Sequence, residues 1–201
     1  MRVSASYTRE NKLRRDGKVL ICGIDEVGRG CLAGPLVAAA VVLPENCRLR
    51  LHDSKMLNRE ARELLAPKIR AKAVGFGIGW VSNTEIDEIG MTWAVTLAYE
   101  RALEELDADV SSIIIDGNYN YLADFEIAET LVKADQKVAC VAAASIIAKV
   151  ARDNYMYEFC KRYPEYCWDT NVGYATRKHR DAIAIHGLTD LHRKSFCKNF
   201  V

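Results

Sequence analysis

The apolar residues in the first part of the chain form short blocks that end in charged or turn residues. The run "KVLICGID" closes on a carboxylate, and "PLVAAAVVL" follows it after a glycine-rich linker. Short apolar runs bounded by turn signals are typical of buried strands, and a tight linker favours antiparallel neighbours. In "AVGFGIGWVS" glycine alternates with large apolar residues, which indicates a third strand that another backbone approaches closely.

Other segments repeat their apolar residues at helical spacing. "REARELLAPKI" predicts a helix capped by Asn58, and Pro67 should break or kink it. "TWAVTLAYERALEEL" predicts the clearest amphipathic helix, with Trp93, Leu97 and Leu103 among its apolar positions.

Strands and helices are mixed in the second half of the chain. "SSIIIDG" predicts a β-branched strand ending at Asp116, and "VACVAAASIIAKVARDNYMYEFCKRY" predicts a brief strand that becomes a long helix ending before Pro164. "TRKHRDAIAIHG" predicts a last helix capped by Thr176 and stopped by Gly187. The order, roughly β-β-β-α-β-β-α-α, predicts an α/β fold in which helices pack on a mixed sheet.

Length and composition indicate a single globular domain, because the chain has 201 residues and half of them are hydrophobic. No uncharged apolar run reaches the roughly 20 residues of a membrane span, and the segment before the first strand lacks the apolar core of a secretory signal. Seven scattered cysteines without a CxxC pair are typical of reduced thiols. We therefore expect a cytoplasmic protein without disulfides or a zinc site.

Charge is uneven along the chain although the net charge is only +1. From residue 133 onward there are 12 Lys/Arg against 7 Asp/Glu, a local excess of +5. This excess suits phosphate binding, and an ordinary solvated surface explains it equally well. His179 and His186 could share a helix face, and we expect both to be solvated.

Acidic residues stand at the ends of the predicted strands. Asp25 ends the first strand, Asp116 ends the fourth, and Asp135 precedes the brief strand. Acids at strand ends tend to surround one crevice, where divalent cations with oxygen ligands would offset their repulsion. Two such ions about 4 Å apart could promote a phosphoryl displacement. Glu26 can join only if the strand ends or bulges there, since adjacent strand residues point to opposite faces. Each acid taken alone is better explained as a cap or turn residue, so the prediction rests on several strand-end acids together.

Three further features suit a nucleic-acid substrate, and each has an ordinary structural explanation. Gly28-Arg29-Gly30 matches neither a Walker loop nor a dinucleotide fingerprint, so a turn is its default interpretation. Ser145, Lys149 and Arg152 are spaced i, i+4 and i+7 on the long helix and so form one polar stripe, which could contact phosphates but is more commonly a solvated face. The aromatic ring in "GYATRKH" suits sugar or base stacking, or is simply half-buried.

Taken together, these segments resemble ribonuclease HII, the type 2 ribonuclease H family, over about residues 19 to 196. The resemblance is carried, in the family's order, by "GIDEVGRGCLAGPLVAAAVVL", "DSKMLN", "IIIDGN", "KADQKVACVAAASIIAKVARD", "GYATRKH" and "HRKSF".

The resemblance implies an RNase H-like fold, a mixed five-stranded sheet flanked by α-helices, with a C-terminal helical substrate-binding portion from about residue 164. It implies an endonuclease that hydrolyses RNA in RNA–DNA hybrids and nicks duplex DNA on the 5′ side of single embedded ribonucleotides. It also implies two-metal catalysis with Mg²⁺ or Mn²⁺, leaving 5′-phosphate and 3′-hydroxyl ends.

The resemblance further implies which residues perform each role. The catalytic and metal-binding set would be Asp25, Glu26, Asp116 and Asp135. The substrate-binding set would be Gly28, Arg29, Gly30, Lys55, Ser145, Lys149, Arg152 and Tyr174, in which the GRG backbone and Tyr174 recognise the ribose 2′-hydroxyl. The motifs of His179 and Arg193 carry no assigned role.

Two positions depart from the family pattern, and several alternatives stay open. Cys31 replaces the usual proline, and Ala134 and Gln136 flank Asp135 in place of the usual "KGDA" form. The rival classes are ribonuclease HIII, a non-catalytic hybrid-binding protein on the same fold, and a nucleotide-binding metabolic enzyme. We expect a monomer, and the aromatic tail "SFCKNFV" is only a loose match to a sliding-clamp peptide.

Overall fold

The protein is described here from a computed structural model, which covers residues 4–52 and 54–200 without the side chain of residue 55. The described residues form five strands: β1 Ile21–Val27, β2 Leu36–Val42, β3 Gly75–Val81, β4 Ser112–Asp116 and β5 Ala128–Leu131. They also form eight α-helices: α1 Thr8–Arg15, α2 Arg59–Lys72, α3 Asn83–Leu106, α4 Ala134–Lys137, α5 Ala139–Cys160, α6 Trp168–Asn171, α7 Arg177–His186 and α8 Lys194–Cys197.

The strands form one mixed sheet in the order β3-β2-β1-β4-β5. β1 is antiparallel to β2, as the tight linker predicted, and parallel to β4. β2 is buried along its whole length because both faces of the sheet are covered, which explains its unbroken apolar sequence. Helix α5 covers one face and α3 covers the other. The predicted mixed five-stranded sheet flanked by helices is confirmed.

Glycines allow the two long helices to contact the sheet backbone directly. A Cβ atom at Gly79 would lie 1.9 Å from the carbonyl oxygen of Ala98, and one at Gly77 would lie 2.2 Å from that of Ala102. A Cβ atom at Gly23 in β1 would lie 2.4 Å from the backbone of α5. The close backbone approach predicted for β3 is confirmed, and the same device brings α5 onto β1.

The helices in the first part of the chain differ from the prediction in two ways. Pro67 does not end α2, which runs unbroken from Arg59 to Lys72 behind the predicted Asn58 cap. Pro67 is exposed, so water can satisfy the carbonyl oxygen that its missing N–H leaves unpaired. Helix α1 precedes the sheet and was not anticipated, because its sequence "TRENKLRR" carries no apolar stripe.

Helix α3 is longer than predicted and buries a different stripe. It begins with a capping box between Ser82 and Glu85 and is kinked at Gly90, which has φ 77°. Trp93 is 68% exposed, while small residues such as Ala98 form the buried face with Tyr99. Close contact with the sheet glycines favours alanine on this face. The prediction that Trp93 belongs to the apolar face was therefore wrong.

The segment around Asp135 also folds differently from the prediction. No strand forms at "VACVA"; Val138 makes one isolated bridge to Ser6, and α5 begins at Ala139. The fifth strand is instead β5, whose sequence "AETL" lacks a strong apolar pattern. Asp135 consequently lies in the short helix α4.

The C-terminal part forms a third apolar cluster around Trp168, Tyr166 and Met156. The predicted cap and stop of α7 are confirmed, since the side chain of Thr176 accepts from the backbone N–H of His179 and Gly187 follows the helix. His179 is buried, so its predicted solvation is wrong, whereas His186 is exposed as predicted.

Two expectations from composition concern the whole chain. All seven cysteines are free thiols, as their spacing predicted. Over residues 4–52 and 54–200, no helix has the length and apolar character needed to cross a membrane.

Candidate active site

Three aspartates converge at one end of the central strands. Ile24 in β1 pairs with Ile115 in β4, so Asp25 and Asp116 follow side by side. Asp135 approaches from α4, just after β5. One carboxylate oxygen from each aspartate lies within 4.8 Å of the others. The predicted convergence of strand-end acids therefore occurs, although Asp135 arrives on a helix.

The local electrostatics suit a divalent cation. Burial raises the pKa of Asp25 well above its usual range, and the neighbouring negative charge of Glu26 adds to this rise. Asp116 and Asp135 raise the pKa further, while a hydrogen bond from Ser145 opposes the rise. Asp116 also accepts from the backbone N–H of Ala134 at 2.6 Å, which fixes its orientation. Three convergent carboxylates, one of them strongly disfavoured as an anion, form a donor set that fits a hard divalent ion.

Glu26 lies on the opposite face of the sheet. β1 continues through Val27, so the alternation of strand side chains places Asp25 towards α5 and Glu26 towards α3. One carboxylate oxygen of Glu26 accepts from the Tyr99 hydroxyl, and the other accepts from Arg29 at 3.0 Å. Among the described residues, the convergent group contains the three aspartates and does not include Glu26.

The GRG segment forms a turn whose two glycines have different surroundings. Gly28 has φ 97°, and a Cβ atom there would lie 2.3 Å from Nε of Arg152. A Cβ atom at Gly30 would meet no described atom within 4 Å. Between them, Arg29 donates to the Tyr121 hydroxyl at 2.8 Å as well as to Glu26. Gly28 is thus required by the fold, whereas the space beside Gly30 is open.

The polar stripe of α5 is largely buried. Arg152 has no exposed surface and donates to the carbonyl oxygens of Pro35, Ala33 and Val172 at 2.8–3.0 Å. The predicted contact of Arg152 with a substrate phosphate is therefore wrong, because its N–H groups already join three loops. Ser145 is also buried and hydrogen-bonds Ser54 at 2.8 Å as well as Asp25.

Lys149 and Tyr174 remain at the surface of the site. The Lys149 ammonium lies 2.8 Å from a carboxylate oxygen of Asp153 and 5.6 Å from the centre of the Tyr174 ring. Tyr174 is 38% exposed, and partial burial raises the pKa of its hydroxyl to about 12. The side chain of Lys55 lies outside the described part of the structure.

Sequence patterns assigned no role to three residues that support this site. Tyr99 contacts Glu26, and Asp153 accepts from Lys149. Arg193 donates to the carbonyl oxygens of Gly34 at 3.0 Å and Arg29 at 3.1 Å. Helical periodicity places Tyr99 on the buried stripe of α3, but nothing local indicates the distant partners of these residues.

A mixed five-stranded sheet with three aspartates converging beside its central strands fits the class of metal-dependent nucleases with an RNase H-like fold. The family model of ribonuclease HII matches residues 22–199. The chain therefore belongs to the ribonuclease HII family, and it is a type 2 ribonuclease H with endonuclease activity. Activity on RNA–DNA hybrids and dependence on a divalent metal come with this membership.

Curated relatives match nearly the full length of the chain. Ribonuclease HII of Thermosynechococcus vestitus is 43% identical over 189 residues, which cover 93% of this chain and 88% of the relative. Ribonuclease HII of Parabacteroides distasonis is 47% identical over 176 residues, covering 87% of this chain and 88% of the relative.

Solved structures share the fold. Ribonuclease H2 from Pyrococcus horikoshii has a TM-score of 0.78 at 26% identity, covering 90% of this chain and 97% of that chain. RNase HII from Archaeoglobus fulgidus, solved in complex with PCNA, has a TM-score of 0.75 at 28% identity, covering 87% and 94%. Bst-RNase HIII in complex with Mn²⁺ has a TM-score of 0.71 at 27% identity, but this chain covers only 63% of it.

Proposed function

We propose that this enzyme hydrolyses the RNA strand of RNA–DNA hybrids and also nicks duplex DNA on the 5′ side of single ribonucleotides. The products would carry 5′-phosphate and 3′-hydroxyl ends. The observation that carries this proposal is the convergence of Asp25, Asp116 and Asp135, because Asp25 lies in β1 and the GRG turn begins directly after that strand. A carboxylate that can bind a metal ion and a backbone turn that a sugar can approach therefore lie within six residues of each other, from 25 to 30.

The chemistry would depend on divalent ions held by Asp25, Asp116 and Asp135. When bound, Mg²⁺ or Mn²⁺ supplies a Lewis acid that activates water and stabilises charge on the phosphate oxygens. The backbone N–H groups of Ala134 and Glu26 donate to Asp116 and Asp25, at 2.6 and 2.8 Å, and hold these carboxylates in place. Ser145 adds a third donor, so the aspartates are oriented before a metal arrives.

Glu26 is the proposed fourth metal ligand, and its carboxylate must leave its present hydrogen-bond partners before it can bind a metal. Its two oxygens are held by Tyr99 and Arg29 on the α3 side of the sheet. Arg29 is 46% exposed at its side chain and can leave Glu26 for a substrate phosphate. One oxygen of Glu26 would then lose its cation, and binding a metal with the aspartates would also require the end of β1 to turn this side chain from the α3 face to the α5 face.

Recognition of ribose is proposed for the GRG backbone and Tyr174. The 2′-hydroxyl distinguishes RNA from DNA, and it can both donate and accept a hydrogen bond. The open space at Gly30 allows a sugar to approach the peptide groups. Tyr174, which is 38% exposed, forms a backbone bridge to Cys31, the residue that directly follows Gly30. Lys149, close to the Tyr174 ring, supplies a cation for an adjacent phosphate. Lys55 is proposed as a further phosphate contact on the resemblance alone.

Neither a partner protein nor a second subunit enters this proposal. The relative from Archaeoglobus fulgidus was solved with PCNA, and the aromatic tail of this chain is the segment to compare. Phe196 and Phe200 are partly buried against the C-terminal apolar cluster, so these rings are engaged by the protein's own core. We propose that the enzyme acts as a monomer, which sedimentation at working concentration would check.

The deciding experiment is a gel assay on end-labelled duplex DNA with one embedded ribonucleotide, incubated with Mg²⁺, with Mn²⁺ or with EDTA. A metal-dependent nick on the 5′ side of the ribonucleotide is expected, and an Asp25→Asn variant should give none. Cleavage of long hybrids alone would overturn the single-ribonucleotide part of the proposal. Binding without cleavage in either metal would favour a non-catalytic hybrid-binding protein.

A further inference from the structure

Two buried histidines meet behind the proposed recognition tyrosine. Nε2 of His179 lies 3.1 Å from Nε2 of His192, and neither side chain has more than 1% of its surface exposed. Trp168 lies edge-on to His179 and directs its indole N–H at Nε2 of His179 at 3.2 Å. The proposed catalytic chemistry uses none of these side chains.

The neighbours of the pair determine where each ring proton lies. The backbone N–H of Thr189 can only donate, so Nδ1 of His192, at 2.9 Å, must accept, and the proton of a neutral His192 lies on Nε2. The carbonyl oxygen of Tyr174 can only accept, so Nδ1 of His179, at 2.9 Å, must donate. Nε2 of His179 therefore carries no proton and accepts from both His192 and Trp168.

These assignments form one directed chain of hydrogen bonds. It runs from the N–H of Thr189 through His192 and His179 to the carbonyl oxygen of Tyr174. Each ring nitrogen that could take up a proton already faces an N–H donor. Burial lowers the pKa of both histidines, which keeps the pair neutral.

The chain of hydrogen bonds ends on the carbonyl oxygen of Tyr174, a residue that also forms an isolated backbone bridge with Cys31. The carbonyl oxygen of Tyr174 also accepts from the N–H of Thr176 at 2.8 Å, and its N–H donates to Asn171 at 2.9 Å. His179 is the side chain that ties this peptide to the C-terminal core, while the Tyr174 ring reaches the surface.

We propose that His179 is a positioning residue that holds Tyr174 for ribose recognition, and that His192 selects the tautomer in which His179 can do so. This inference rests on the role proposed above for Tyr174. The substrate contact belongs to Tyr174, and His179 acts only through its backbone.

The first test reads the tautomers directly and involves no substrate. Two-bond ¹H–¹⁵N correlation spectra of the ¹⁵N-histidine-labelled protein at pH 7 should show a protonated Nδ1 in His179 and a protonated Nε2 in His192. His179→Gln and His192→Gln spectra assign the signals. A protonated Nε2 in His179, or a cationic form of either ring, would overturn the proposed chain.

The second test compares two amides that replace different edges of the ring. Asparagine at position 179 can keep a donor near the place of Nδ1, whereas glutamine places its amide near Nε2 and loses that donor. Incision at a single ribonucleotide should fall about tenfold or more in His179→Gln, as expected for a misplaced recognition group. It should stay within about fivefold of wild type in His179→Asn.

A double-mutant cycle separates positioning from general damage. If His179 acts through Tyr174, adding His179→Gln to Tyr174→Ala should cause no further loss of incision. An equal loss in both backgrounds, in variants that melt alike, would overturn the inference. A Tyr174→Ala variant that incises like wild type would instead refute the proposed role of Tyr174, while the tautomer result would stand.

Discussion

Asp25 is placed for chemistry at the expense of folding stability. Burial and the charges of Glu26, Asp116 and Asp135 raise its pKa, so the folded state favours its protonated form. Its charge therefore destabilises the metal-free protein above the folded pKa, and this cost disappears as pH falls below the unfolded value. Asp25→Asn should abolish cleavage and also stabilise the metal-free protein at pH 7, by about 0.5–2 kcal/mol.

Urea unfolding in EDTA, combined with the gel assay, measures both effects. Asp109→Asn is the matched control, because Asp109 is exposed and lies outside the aspartate group. Residual turnover by Asp25→Asn would contradict its assignment as a metal ligand. A loss of stability in EDTA would contradict the repulsion argument.

The two glycines of the GRG turn should respond differently to the same methyl group. Gly30→Ala should leave the melting temperature within about 2 °C of wild type, because nothing in the described structure lies within 4 Å of the new atom. It should nevertheless raise KM for a ribonucleotide-containing duplex, since the methyl group occupies the space proposed for the sugar. Gly28→Ala should destabilise the fold by about 1–3 kcal/mol, because of its positive φ and the contact with Arg152.

Calorimetry measures the effect of each substitution on stability, and steady-state kinetics measures its effect on KM. Together they show which glycine is needed for the fold and which for substrate access. An unchanged KM in Gly30→Ala would show that substrate does not approach this side of the turn. Equal destabilisation of both variants would mean that Gly30 also serves the fold.

At the scale of elements, the two buried histidines of the C-terminal part should make the free energy of unfolding depend on pH. Burial and, to a lesser extent, neighbouring His179 together lower the pKa of His192 to about 4, while Asp190 opposes the shift. The unfolded chain takes up a proton near pH 6.5 that the folded chain refuses, so stability falls as pH drops from about 6.5 to 4. The loss from His192 alone should approach about 3 kcal/mol, and His179 should add to it.

Urea unfolding of wild type and His192→Gln at pH 7 and pH 4.5 isolates this effect, because the other titrating groups are common to both proteins. The difference in free energy of unfolding between wild type and His192→Gln should become smaller, or change sign, at the lower pH. A gap that is independent of pH would mean that His192 titrates normally in the folded state.

Sequence patterns predicted those elements and residues whose signals are local. The buried strands β1, β2 and β4 and the cap of α7 follow from short runs, and the strand-end positions of Asp25 and Asp116 indicated the metal site. The resemblance to a family added the roles of the GRG turn and Tyr174, which stay proposals.

The errors arose where a partner from a distant segment decides the outcome. Arg152 reads as an exposed cation on a helix, yet carbonyl groups of residues 33, 35 and 172 converge on it. His179 is buried for a similar reason, since Trp168 and His192 surround it. Helical spacing contains no information about such contacts, because they form only when the C-terminal helices pack against the GRG turn.

At the scale of the whole molecule, the proposed site combines a metal-binding part and a substrate-recognition part. The sheet and α4 hold the aspartates, whereas the C-terminal part reaches the GRG turn through Arg193. Arg193 is fully buried and donates to the carbonyl oxygens of Gly34 and Arg29 from two different nitrogens. A lysine has a single ammonium and cannot reproduce this planar fork.

Arg193→Lys should therefore impair substrate recognition while leaving the metal site intact. We expect kcat/KM on a ribonucleotide-containing duplex to fall about tenfold or more, and stability to fall by about 2–3 kcal/mol, because buried carbonyl groups lose their donors. Mn²⁺ affinity, measured by calorimetry without substrate, should stay within about twofold, since no contact of Arg193 reaches the aspartates. Lys194→Ala, at the exposed neighbouring position, is the control and should change none of the three quantities. If Mn²⁺ affinity fell together with kcat/KM, the geometry of the aspartates would itself depend on the C-terminal part.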